Sequence, residues 1–122
     1  MSRVLCLCCG LALSWLVLAG NAEAHALLLS SAVQPAADAQ AAADIALHYN
    51  SRIDASRSRL TLTDSQGAKR TLAALPGDDL ATLRTRADGL TPGAFTLRWE
   101  VLSVDGHISR GEINFTYPLS QQ

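Results

Sequence analysis

Sulfur is confined to one end of this chain. Of 122 residues three are cysteine and one is methionine, and all four lie at Met1, Cys6, Cys8 and Cys9. Past Cys9 there is no thiol for a disulfide, no thiolate for a zinc cluster and no thioether for a soft metal ion. An excess of either charge is missing too. The formal net charge is -1, which gives no electrostatic basis for binding nucleic acid. There is no internal repeat and no low-complexity tail. Long apolar runs are limited to Val4–Ala19, whose sixteen residues fall short of the roughly 20 that span a bilayer as a helix.

That run has the parts of an export signal. Arg3 precedes it, leucines fill it, and small residues follow it to Ala22-Glu23-Ala24, which has the A-x-A form of a signal-peptidase site. The competing reading is an uncut membrane anchor, against which the short run counts. The cysteines lie inside the run and not at its end, which argues against a lipoprotein anchor. The expected division is a signal peptide over residues 1–24 and one domain over residues 25–122. The mature chain then has 98 residues, enough for a modest core. It begins at His25 and has no sulfur, with ten acidic residues against nine basic ones.

Within the mature chain, short alternating runs are separated by turn residues. Expected strands are His25–Ser31, with Leu27 and Leu29 on one side, and Asp44–Tyr49, with Ile45, Leu47 and Tyr49 facing one way. Next come Arg59–Asp64 and, after the turn Ser65-Gln66-Gly67, Lys69–Ala74. A weak strand at Ala81–Arg86 precedes the clearest one, where Phe95, Leu97, Trp99 and Val101 share a face. The last strand runs to Tyr117, with Ile113, Phe115 and Tyr117 inward. The Ala-rich stretch from Pro35 to Ala43 reads as a loop. Arg52, Arg57 and Arg59 beside Asp54 read as a solvated loop cluster. Seven strands in this length imply an all-β, seven-stranded antiparallel immunoglobulin-like sandwich of the Greek-key kind, in which Trp99 packs without a disulfide.

Cleavage after Ala24 makes His25 an amino-terminal residue. Its α-amine and Nδ1 can then grip one metal ion in a single chelate ring, which lowers the entropic cost of assembling a site. Both donors are ordinarily protonated in mild acid, the amine with a pKa near ~7.7–8.0 and the imidazole near ~6.5, so affinity should fall as pH falls. The second feature is Asp105-Gly106-His107, where one intervening residue lets a carboxylate and an imidazole converge at a bend that Gly106 permits. With His25 these make three nitrogens and one oxygen, a set that suits divalent copper. Zinc could use the same atoms but prefers a tetrahedron. Without sulfur, cuprous copper is disfavoured.

Each feature also has an ordinary explanation. Asp-Gly between two strands is a hairpin signal in its own right, so Asp105 could simply shape a turn. His107 could be a solvated histidine at a strand start, and some residue must follow every cleavage site. The pairing of the two features is what points to a metal. His48 lies opposite Ile45, Leu47 and Tyr49 in strand parity, facing solvent or an edge; it is kept as a candidate accessory ligand and left out of the principal site.

The run Leu90-Thr91-Pro92-Gly93-Ala94-Phe95-Thr96-Leu97-Arg98-Trp99-Glu100-Val101-Leu102-Ser103-Val104-Asp105-Gly106-His107, with His25-Ala26 after the leader and Gly111 and Phe115 beyond, resembles the CopC family of periplasmic copper-binding proteins. The resemblance implies a seven-stranded sandwich holding Cu(II) at the mature amino terminus, with His25, Asp105 and His107 as ligands. It also implies copper sequestration, delivery or resistance in the periplasm without turnover, and an inner-membrane transport partner of the CopD type. A monomer, not embedded in the membrane, is expected. Some relatives hold Cu(I) in a methionine-rich segment, and this mature chain has no methionine with which to do so. The family's phenylalanine-serine-glutamate-proline stretch is here Tyr49-Asn50-Ser51-Arg52, which removes a carboxylate. The serine-proline step after the first strand is loosened to Ser30-Ser31-Ala32-Val33-Gln34-Pro35.

Two rivals come from other classes. A histidine-brace copper enzyme, such as a lytic polysaccharide monooxygenase, also starts with a metal-binding histidine on a β-sandwich. It usually needs a longer chain, a broad substrate surface and an open coordination position that Asp105 would fill. A non-metal structural sandwich would gain no stability from copper.

Overall fold

Period-two alternation carries through from the sequence into extended backbone. The computed structural model describes residues 26–120, all strand, turn or loop among those residues. The strands are β1 (Leu28–Pro35), β2 (Ala43–Tyr49), β3 (Ile53–Thr63), β4 (Lys69–Leu72), β5 (Leu75–Pro76), β6 (Thr82–Ala87), β7 (Gly93–Ser103) and β8 (Ile108–Tyr117). They form two four-stranded antiparallel sheets, ordered β1-β2-β6-β5 and β4-β3-β7-β8.

The sheets face each other through the residues whose alternation marked them as inward. Ile45, Leu47 and Tyr49 of β2, Leu60 and Leu62 of β3, and Phe95, Leu97, Trp99 and Val101 of β7 are all buried. Ile113, Phe115 and Tyr117 of β8 are half-buried and packed against them. Fully burying one such aliphatic side chain is worth ~1.5–3 kcal/mol, so this core is the main source of stability among the described residues, which include no cysteine. Trp99 meets Tyr49 edge-on at 5.2 Å between ring centroids, and Phe95 stacks on Phe115 at 5.4 Å. The weak strand of the sequence reading is a central one, since β6 lies between β2 and β5. Its Thr82 and Thr85 are buried polar residues, which hid its apolar face from a hydropathy reading.

Four expectations need correction. There are eight strands and not seven, because Leu75–Pro76 adds a two-residue edge strand beside β6. A segment containing Pro-Gly reads as a break, and two residues are too few to show a period. The first strand is displaced toward the carboxyl end, to Leu28–Pro35, and Leu27 and Leu29 stand in solvent. The loop therefore starts only after Pro35. The segment around Arg57 belongs to β3 and is not a loop: pairing with β7 is irregular between Asp54 and Arg59, and that irregularity erases the alternation.

Candidate metal centre

Asp105 and His107 sit on the turn that joins β7 to β8. The turn is closed by backbone bonds from Gly106 N to Ser103 O and from Ser103 N to His107 O, each 2.9 Å. Gly106 has φ 92°, a left-handed conformation that glycine takes without steric cost. Ser103, buried on the Trp99 face of β7, adds a hydroxyl bond to the His107 carbonyl at 3.2 Å. The turn is thereby rooted in the core while its two functional side chains remain accessible, at 52% for His107 and 39% for Asp105.

The two side chains are brought together. Asp105 Oδ1 accepts the His107 backbone N–H at 3.2 Å and lies 3.3 Å from His107 Nδ1. The backbone N–H of His107 is the leading cause that holds the Asp105 carboxyl below the usual carboxylate value; desolvation opposes it, and the histidine ring adds to the lowering. A carboxylate that stays ionised in mild acid, directed at an imidazole nitrogen, fixes the ring in the manner common around metal-binding histidines.

The chain just after His25 arrives at the same end of the sandwich. Leu27 N donates to Asn50 Oδ1 at 2.8 Å, and Asn50 N donates to Leu27 O at 3.0 Å. Two residues on, Arg52 O accepts Val104 N at 3.3 Å, so the segment 50–52 ties the start of β1 to the Asp105 turn. Ala26 is itself buried in the core. His25 and the expected cleavage site at Ala24 lie outside the described residues. Among the described residues no three imidazole, carboxylate or thiol groups converge on a common point. Asp105 and His107 supply two donors, and a cation needs at least one more from elsewhere.

The sequence reading missed Asn50 and Ser103. Asn50 follows a strand and carries no pattern of its own. Ser103 continues the inward series Phe95, Leu97, Trp99, Val101, and that phase could have revealed it. His48 is exposed, as expected, yet it is fixed: its Nδ1 lies 2.7 Å from Thr82 Oγ1, which donates to Asp79 Oδ1 at 2.8 Å. The Thr82 proton is used on the carboxylate, so the histidine nitrogen must be the donor to that hydroxyl.

An antiparallel sandwich with no cysteine among the described residues, and with a carboxylate and an imidazole paired on one end turn, defines a small β-domain. The CopC domain family model matches residues 28–118, and the chain belongs to that family. It is similar to the crystal structure of CopC from Methylosinus trichosporium OB3b, with 25% identity and a TM-score of 0.62, over 75% of this chain and 92% of that one. It is also similar in fold to PcoC, a methionine-rich copper resistance protein from Escherichia coli, with 23% identity and a TM-score of 0.58, over 76% and 98% of the two chains. No curated protein matches the chain. The methionine richness named for PcoC has no counterpart here, where Met1 stands alone.

Proposed function

We propose that this protein is an exported Cu(II) carrier of the periplasm, cut after Ala24 and folded as one domain over residues 25–122. It works as a monomer that sequesters copper or hands it on, without turnover. The ligands are the His25 amine and Nδ1, the Asp105 carboxylate and the His107 imidazole, the last through Nε2 because Nδ1 is directed at Asp105. The observation that carries the reading is the tie through Asn50 and Arg52, which holds the chain after His25 and the Asp105 turn at one end of the fold. The donor chemistry agrees: nitrogen-rich, oxygen-completed and without sulfur, it suits divalent copper better than cuprous copper. Delivery would be to an inner-membrane copper transport protein of the CopD type.

The test is one extra residue before His25, which removes the terminal amine from the chelate ring and leaves the fold intact. Competition titration against a chelator should show Cu(II) affinity reduced about tenfold or more, at least ~1.4 kcal/mol. Equal affinities for extended and native forms contradict the assignment. Intact mass of the exported protein checks the prerequisite, since a mass above that of His25–Gln122 by the leader would leave His25 without a free amine and so without its chelate ring.

A further inference from the structure

Among the described residues six large apolar side chains stand in solvent: Leu27, Leu29, Leu75, Leu80, Val104 and Ile108. All but Leu75 gather at the end that carries Asp105 and His107. Leu27 is held to Asn50, Leu80 O accepts Ile53 N, and Val104 N reaches Arg52 O. Leu29 is the second residue of β1 and Ile108 the first of β8. The opposite end, formed by segments 36–42, 64–68 and 88–92, exposes no large apolar side chain. A single exposed leucine needs no explanation, but five around one pair of candidate ligands mark a contact surface.

The charge beside this rim narrows the choice of partner. A trough of about 530 Å³ next to Leu80 and Val104 carries Asp54, Asp78 and Asp79 and no basic side chain. Asp78 is paired with Arg84 at 2.7 Å, and Asp54 has Arg57 only at 3.8 Å. Asp79 has no ion pair with an arginine or lysine among the described residues. An anionic lipid surface would be repelled by these carboxylates. A protein face with an apolar centre and lysine or arginine at its edge would meet both features.

We propose that the apolar rim of Leu27, Leu29, Leu80, Val104 and Ile108 is the docking surface for a copper-accepting protein with an apolar, basic-edged contact face. The ion passes by ligand exchange inside the contact. No electron moves, and the released amine and imidazoles take up protons from water. This rests on the copper-carrier reading above.

The experiment uses the mature chain in its own cells, with a photo-crosslinking residue in place of Leu80 or Val104, and in place of Gln66 at the opposite end. A copper-binding protein adducted from the rim positions and not from Gln66 is then purified. Cu(II) transfer to it is timed from the native protein and from Leu80→Ser/Val104→Ser/Ile108→Ser. The expected result is transfer slowed at least tenfold in the variant, with chelator-measured copper affinity and melting temperature unchanged. Leu80→Lys alone, which sets a charge of the partner edge's own sign at a 65% exposed position, gives the same readout if the triple variant folds poorly. Adducts only with lipid or with a second copy, equal adducts at Gln66, or undiminished transfer by the variants overturn the docking proposal. A native chain without copper affinity is a different failure, that of the underlying carrier reading.

Discussion

Asp105 and His107 are joined twice through one oxygen: Oδ1 accepts the histidine's backbone N–H at 3.2 Å and faces its Nδ1 at 3.3 Å. The carboxylate therefore shapes the turn and orients the ring at the same time. Replacing it should damage metal binding far more than folding. Asp105→Ala is expected to weaken Cu(II) binding about 10–100-fold, with the denaturation midpoint little changed, because the carboxylate lies on an accessible turn outside the core. Asp105→Asn keeps an oxygen for the backbone N–H but loses the charge, and should fall between. Chelator competition and chemical denaturation of the three proteins check this. Unchanged affinity in Asp105→Ala would remove the carboxylate from the site.

Acid should act on this protein in two separate windows. Asp38, Asp54, Asp79 and Asp105 are all held below the ordinary aspartate value, by the Arg86 side chain, the Ser56 side chain, the Thr82 side chain and the His107 backbone N–H as leading causes. A carboxylate with a depressed folded pKa contributes stability above its unfolded value, and that contribution is lost as pH falls through the folded one. The metal-free protein should therefore hold its melting temperature from about pH 7 to pH 5 and lose it below about pH 4. Copper affinity should decline earlier, between about pH 8 and pH 6, as amine and imidazole ligands recover protons. Thermal melts and metal titrations across pH would show two displaced curves. A melting temperature already falling at pH 6 without metal would contradict this account.

The three-part chain from His48 through Thr82 to Asp79 fixes a loop and lies outside the proposed ligand set. Thr82→Val removes the hydroxyl that bridges the histidine and the carboxylate. The loss should be about 1 kcal/mol of stability, the net worth of a hydrogen bond in a half-buried place. Copper stoichiometry should stay at one ion per chain in Thr82→Val and in His48→Ala alike. A lost equivalent in His48→Ala would bring that histidine into the metal site.

How much of this was legible beforehand depends on where period two survives. Phe95, Leu97, Trp99 and Val101 keep strict alternation opposite a regular β8, so both the strand and its buried face follow from the residues alone. Residues 53–58 lie in a strand whose pairing slips, and no period remains there to be read. Leu75–Pro76 is ordered by its neighbour β6 and not by its own pattern. At the site, Asp105-Gly106-His107 was visible as a triplet of chemical types. The bonds that anchor it come from Ser103 and Arg52, while Asn50 holds the chain at Leu27 beside it, a placement set by tertiary packing.

The Trp99–Gly111 contact gives the sharpest test of the core. Gly111 stands directly opposite Trp99 on β8, and a Cβ at position 111 would overlap the six-membered part of the indole. The ring cannot retreat, because its other side meets Tyr49 edge-on and both residues are buried. Among the described residues its Nε1 and the Tyr49 hydroxyl have no hydrogen-bond partner, and burial pushes the Tyr49 phenol above its usual value. Gly111→Ala should then cost about 1–3 kcal/mol, the usual penalty for overpacking a filled core. The sequence has two tryptophans, Trp15 and Trp99, so in a protein made as residues 25–122 the emission reports on this contact without interference. The expected outcome is a lower denaturation midpoint together with a shifted native emission maximum. A variant as stable as the native protein, with the same spectrum, would mean that the sheet yields at this point and that Trp99 does not fix the spacing of β7 and β8.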